Sequence, residues 1–249
     1  MGDVMEKIGD FLDRSGLFSY GTASSTPLED EPTGHRPSDL LPGAQSVMCL
    51  GLPVPKGVFQ CGVRSEPSYW RTANVTYRYL DAVLVRCAAL LEQAGASAVP
   101  VFGCFPYVVR GKGDLYGYCN LVRMAELSGL GKRGKNGLLI SARAGSRLLL
   151  GGIVTTASLP QVRPHGEEEA GCPGHCHACR EACPVQAIDS DGRVDRLKCT
   201  RHSMRSPLFS HLMKSGEVKE SDLELVNHVA AVDDHSMYTC VACVAACPL

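Results

Sequence analysis

At 249 residues, with 45% hydrophobic and 20% charged side chains, the chain has enough apolar content for one substantial core with an appended module, and needs no disulfides for stability. A formal net charge of −1 argues against a nucleic-acid partner, and no stretch approaches the roughly 18 uninterrupted apolar residues of a membrane span. Thirteen cysteines cannot all pair, and most crowd into two short runs near the C-terminus, the pattern of metal ligation in a reducing, cytoplasmic compartment and not of a secreted disulfide scaffold.

The N-terminus, MGDVMEKIGDFLDRSG, lacks the apolar run of a signal peptide. Asp3 followed by Val4, Ile8, Phe11 and Leu12 and closed by Gly16 predicts an amphipathic helix. From Thr22 to Pro42 the residues show neither helical nor strand period and read as loop. Ser46 to Leu52 is a nearly continuous apolar run between turn residues, which suits a buried strand with Cys49 in the core. Leu80, Val83, Leu84, Cys87, Leu90, Leu91 and Ala94 keep helical spacing within a long helix over 68–94, and Gly95 is placed to end it. Strands are predicted over 98–102, 138–140 and 148–156, with helices between some of them. Lys132, Arg133, Lys135, Arg143 and Arg147 form a basic cluster whose default reading is a solvated face.

Residues 1–164 therefore read as an α+β domain for a cofactor or substrate. After Pro160 the composition turns to Gly, Pro, His, Glu and Cys, with HGEEEAG as a polar linker, and residues 165–249 form the second domain. The stretch between the two cysteine runs contains a helix whose start is marked by the capping box Ser221 to Glu224.

Cys172, Cys176, Cys179 and Cys183 precede Pro184, and Cys240, Cys243 and Cys247 precede Pro248, so both runs share the text C-x2-C-x3-C-P. A [4Fe-4S] cubane takes four thiolates, and in two-cluster ferredoxins the cysteine before proline ligates the other cluster. Crossing the runs in that way assigns Cys172, Cys176, Cys179 and Cys247 to one cluster. Cys183, Cys240 and Cys243 go to a second, and the isolated Cys199 completes it. Three residues, not two, separate Cys172 from Cys176: either the loop is one residue wider, or Cys172 is not a ligand. Zinc also takes tetrathiolate sites at C-x2-C spacing, but it calls for neither Cys-Pro endings nor a crossed register. His175 and His177 lie among the ligands as residues that tune potential by hydrogen bonding. Cys49, Cys61, Cys87, Cys104 and Cys119 lack ligand spacing, and burial is the default for them.

Between the predicted helices and the cysteines lies AELSGLGKRGKNGLLISARAGSRLLLGGIVTT, where glycines expose backbone amides that make a concave polar cradle. GLGKRGKNGLLI, then GSRLLLGGIVT, then the cysteine module with its lone Cys199, together with LPGAQSVMCLGLPV, resemble the epoxyqueuosine reductase family and, more distantly, the iron-sulfur core of the reductive dehalogenases. The resemblance implies a nitroreductase-like, corrinoid-handling α+β core followed by a ferredoxin-like module with two [4Fe-4S] clusters. It implies a base-off cobalamin against Gly129, Gly131, Lys132, Gly134, Lys135 and Asn136; FMN is the other cofactor such a core accepts.

Two departures bear on activity. Where the family carries an acidic proton donor in a Val-Asp-Ser-Ala-Pro-like stretch, this chain reads VFGCFPYVVRGKGDLYGYCN, in which Asp114 sits among glycines as a turn residue. The family also continues past its last cluster into segments that touch tRNA, whereas this sequence stops at Leu249. Tyr107, Tyr116 and Tyr118 are the candidate acids, by analogy with the tyrosine of reductive dehalogenases. The leading expectation is a cobalamin-dependent iron-sulfur oxidoreductase, supplied by a ferredoxin or flavodoxin, that reduces a small organic substrate or a corrinoid. The alternatives are a non-catalytic electron carrier for a corrinoid protein and a minimal epoxyqueuosine reductase acting on tRNA.

Overall fold

The computed structural model describes residues 2–16, 19–104, 107–111, 114–164, 170–203 and 240–248. Along the chain, α1 (Gly2–Arg14) leads to β1 (Ser19–Ser24), a short α2 (Pro37–Leu40), β2 (Ser46–Pro53), the long α3 (Ser65–Gln93) and β3 (Ala98–Val101). Then follow β4 (Tyr107–Gly111), β5 (Asp114–Gly117), α4 (Leu121–Leu127), β6 (Lys132–Arg133), β7 (Leu139–Ile140) and β8 (Leu148–Thr155). The cysteine region contributes α5 (Ala178–Ala182), α6 (Arg196–Ser203) and α7 (Ala242–Ala245).

An antiparallel sheet of order β1-β2-β8-β3 forms the middle layer. Strand side chains alternate between faces, and here both faces are covered, so β2 and β8 are apolar without a break. Met48, Leu50 and Ile153 pack with Leu80, Leu84, Cys87 and Leu91 of α3 and with Ile8 and Leu12 of α1. Val47, Cys49, Leu150 and Val154 pack with Met124 and Ala125 of α4 and with Leu130 and Leu139. Two glycines in mid-β8 set how closely the helices approach. A Cβ on Gly151 would lie 2.6 Å from Leu84 Cδ1, and one on Gly152 would lie 2.6 Å from Met124 Cε. Among the described residues no helix is long and apolar enough to cross a membrane.

The predicted first helix, the buried strand at 46–52, the long helix and the strands at 98–102 and 148–156 are all present within a few residues of their expected bounds. Gly95 closes α3 at φ +87°, a conformation that glycine adopts without strain. The expectation of loop from Thr22 to Pro42 is corrected at both ends, because Ser19–Ser24 is a strand and Pro37–Leu40 a helical turn. SYGTAS has little intrinsic strand preference and acquires its conformation from pairing with Ser46–Gly51. Leu139 and Ile140 do form a strand, but in a separate hairpin with Lys132 and Arg133. Asp114 opens β5 instead of occupying a turn. The expected boundary at 164/165 adjoins residues 165–169, and the capping box Ser221 to Glu224 falls in 204–239; both segments lie outside the described residues.

The outer edge of β1 leads toward the cysteine region. Thr22 N donates to Val162 O at 3.0 Å, and the Thr22 hydroxyl donates to Pro160 O while accepting from Val162 N at 2.8 Å. Gly21 makes this approach possible, since a Cβ there would stand 2.1 Å from Ser128 O and 2.9 Å from Val162 O. We expect Gly21→Ala to destabilise the protein by about 1–3 kcal/mol through overpacking against rigid backbone. Gly57→Ala, with nothing within 4 Å of the new methyl, should stay within about 0.5 kcal/mol of the parent. Paired denaturant titrations measure the difference.

Candidate metal centre

The glycine-rich segment folds as the β6–β7 hairpin. Gly134 N donates to Leu138 O at 2.8 Å, Gly137 N to Gly134 O at 2.9 Å, and Leu138 N to Asn136 Oδ1 at 3.1 Å. Its glycines are filled by protein. A Cβ on Gly131 would lie 2.3 Å from Ile140 O, and one on Gly134 would lie 2.6 Å from Ile140 Cγ1. Gly129, at φ +79°, packs against the Arg163 side chain. Other contacts reach the cysteine region: Val194 lies over Gly137, Lys132 over Gly171, and Gly192 over Lys135. Lys132 and Arg133 are exposed, as expected of a solvated face.

Against this hairpin, Cys172, Cys176, Cys179 and Cys247 line one cavity together with Lys135, Asn136, Ile140, Pro173 and Pro248. The cavity opens to solvent. The three-residue gap after Cys172 is taken up by a turn in which Cys176 N donates to Pro173 O at 3.0 Å, so Cys172 stands in the wall with the others. Burial, then the negative charges of Cys172 and Cys176, push the Cys179 thiol above its ordinary value. His175 and His177 occupy the same loop.

Cys183 ends α5 with φ −71° and ψ 112°, the extended geometry that a following proline imposes. Its side chain therefore leaves the helix that carries Cys179, and its Sγ accepts from Ala187 N at 3.3 Å. Cys183, Cys199, Cys240 and Cys243 make a second group that is read from their mutual influence. Burial and then Cys240 and Cys183 raise Cys199, apart from a lowering hydrogen bond from Ser203. Burial, then Cys199, Cys240, Cys179 and Cys183, push Cys243 up to about 12, so Cys243 also feels a thiol of the first group. Burial, Glu66 and Cys183 raise Cys240. Tyr69 of α3 borders this group, its phenol raised by desolvation and then by Cys243, Cys104 and Cys240.

Among the described residues no three His, Cys, Asp or Glu side chains are placed to hold a single metal ion. The all-cysteine donor set around the cavity, Cys172, Cys176, Cys179 and Cys247, fits an iron-sulfur cluster, in which each iron takes one thiolate. The six residues assigned to a corrinoid fit it poorly, because Gly129, Gly131 and Gly134 face other parts of the chain, while Lys135 and Asn136 line the cysteine cavity.

The candidate tyrosines lie on or beside the β4–β5 hairpin. Tyr107 pairs with Gly117 across the β4–β5 hairpin, and Tyr118 is exposed just beyond it. Tyr116 is half-buried between two groups that the sequence did not single out. The His35 ring lies 5.1 Å away, and the Arg196 guanidinium of α6 stands 5.0 Å over the phenol ring. His35 is buried, with Nδ1 2.8 Å from Gly117 O. A carbonyl can only accept, so Nδ1 carries a proton, and buried Nε2 has no hydrogen-bond partner among the described residues. No spacing signal connects His35, Tyr116 and Arg196, which come from three distant parts of the chain.

Burial holds for Cys49, Cys87, Cys104 and Cys119 but not for Cys61. That residue sits exposed between two short 3-10 turns, its thiol donating to Gly57 O at 3.3 Å.

No protein-family model matches the chain. It is 36% identical over 163 residues to the epoxyqueuosine reductase of Synechocystis sp., covering 65% of this chain and 52% of that protein. To the epoxyqueuosine reductase of Synechococcus sp. it is 35% identical over 160 residues, covering 64% and 46%. The chain thus spans about half the length of these curated relatives. An epoxyqueuosine reductase solved with an epoxyqueuosine-modified tRNA-Tyr stem loop shares its fold at a TM-score of 0.61 and 15% identity, over 99% of this chain and 65% of that one. A reductive dehalogenase described with a mechanism for B12-dependent dehalogenation aligns at a TM-score of 0.52 and 18% identity, over 79% and 28%. The chain is a relative of the epoxyqueuosine reductases, with a mixed helix and sheet fold common to them and to reductive dehalogenases.

Full burial pushes the Cys49 thiol up to about 12, and the thiolate is the reactive form. Brief iodoacetamide treatment of the native protein should therefore label Cys61 and spare Cys49 by at least tenfold, read by peptide mass spectrometry. Equal labelling would contradict the buried placement.

Proposed function

We propose that this chain, as a relative of the epoxyqueuosine reductases, is a reductase that carries two [4Fe-4S] clusters in a ferredoxin-like module appended to an α+β core. The observation that carries this reading is the meeting of Cys172, Cys176 and Cys179 with the distant Cys247 around one cavity. It is the crossed set that the Cys-Pro endings call for, and the mutual influence of Cys183, Cys199, Cys240 and Cys243 supports the complementary set. Bound clusters would supply single electrons at low potential, received from a ferredoxin or flavodoxin. The chain's own part is to hold eight thiolates in two groups and to exclude water from the half-buried cysteines.

The names of the relatives favour epoxyqueuosine on tRNA as substrate over a free small molecule, despite the chain's charge of −1. With no aligned acid, Tyr116 is the residue we assign to proton delivery. Tyr116 is flanked by both a buried imidazole and a cation from the cysteine region. A corrinoid acceptor is the expectation from resemblance, but Gly129, Gly131 and Gly134 are packed against the chain itself and offer no open cradle for it. A non-catalytic electron carrier would use the same thiols without Tyr116.

Anaerobic iron and sulfide analysis should return about eight irons per chain, and Cys199→Ser should return about four. Tetrathiolate zinc and no sulfide would refute the cluster assignment. Complementation of a strain lacking epoxyqueuosine reduction tests the substrate, and Tyr116→Phe should lower turnover by about 10²-fold with iron content unchanged. Titration with cob(II)alamin separates a corrinoid enzyme, with a perturbed and reducible spectrum, from one without.

A further inference from the structure

Lys135 does something that a surface lysine beside a glycine-rich turn does not need to do. Its Nζ donates to Gly174 O at 2.7 Å, to Cys176 O at 2.9 Å and to Pro173 O at 3.4 Å. An ammonium has three donors and no acceptor, so all three are committed to the backbone of the loop that carries Cys172 and Cys176. Its stem is held from the other side by Gly192, where a Cβ would lie 3.2 to 3.4 Å from Lys135 atoms and φ is +76°. The residue also lines the cavity formed by Cys172, Cys176, Cys179 and Cys247.

We infer that Lys135 is the positioning residue of the first cluster site: it clamps the Cys172–Cys176 loop onto the β6–β7 hairpin and biases that site toward its reduced, more negative state. The inference rests on the two-cluster reading and deepens it. Four thiolates around an iron-sulfur core carry net negative charge, and one-electron reduction adds another; a fixed cation at the cavity wall stabilises the added charge and raises the potential. Hydrogen bonds to three carbonyls hold that cation still, which a flexible lysine does not otherwise achieve. The effect is confined to one site, because the contacts of Lys135 are with the first cysteine loop and not with Cys183, Cys199, Cys240 or Cys243.

The test uses the full chain, loaded anaerobically with iron and sulfide, and follows each cluster by EPR during a redox titration. Lys135→Gln keeps donors and removes the charge: it should hold wild-type iron and show one of the two potentials moved to more negative values. Lys135→Met removes both and should lose about half of the iron. An unchanged pair of potentials in Lys135→Gln would overturn the inference, as would equal loss of both clusters in Lys135→Met or full iron with wild-type potentials there. If Lys135→Gln also loses iron, Lys135→Arg decides: restoration of iron and of the potential supports the clamp, and failure to restore them sinks it. Wild-type protein without iron-sulfur clusters would instead defeat the cluster reading itself.

Discussion

The site depends on close packing between the glycine-rich hairpin and the cysteine region. The β6–β7 hairpin meets that region at Gly137, where a Cβ would stand 3.1 Å from Val194 Cγ2, and Lys132 of the hairpin lies in ordinary contact with Gly171. Within the hairpin, Gly131 and Gly134 let Ile140 fold back close enough for Asn136 and Lys135 to sit at the cavity wall. The glycines serve packing first: their lack of a Cβ is consumed by neighbours from the same chain. The Lys135 ammonium of the hairpin then joins the two surfaces by binding the Gly174 and Cys176 carbonyls of the cysteine loop.

Behind that contact stands a sheet whose central strand is buried at every position. The glycine pair in mid-β8 draws α3 and α4 toward opposite faces, and the edge strand β1 uses Thr22 to tie down the segment at 160–162. Backbone and side-chain hydrogen bonds from Thr22 thus hold the segment at 160–162 against the sheet edge. The remaining face of the assembly is organised differently. Arg196 of α6 reaches across to Tyr116 on a small separate hairpin, so the cysteine region touches the rest of the molecule on two sides.

Much of this was legible in the sequence where one physical signal dominated. Helical period over α3 and the apolar runs at β2 and β8 each pointed to one element, and the Cys-Pro text pointed to the grouping of Cys172, Cys176 and Cys179 with Cys247 that lines one cavity. The sequence was silent where structure came from pairing over distance. SYGTAS is a strand because of Ser46–Gly51, and His35 is buried because Gly117 offers it a carbonyl. The glycine-rich segment was the instructive case: glycine marks a close approach, but composition does not say whether the approaching body is a ligand or another part of the chain. Cys61 shows the same limit, since hydrophobic tendency does not fix burial on a loop.

The crossed cavity also has a meaning for biosynthesis. A ribosome adds Cys172, Cys176 and Cys179 early and Cys247 only after the whole intervening stretch has been made. Until then the cavity wall has three of its four thiols. On the cluster reading proposed above, a four-cornered site is complete only once the two ends of the cysteine region have met, so loading would follow folding.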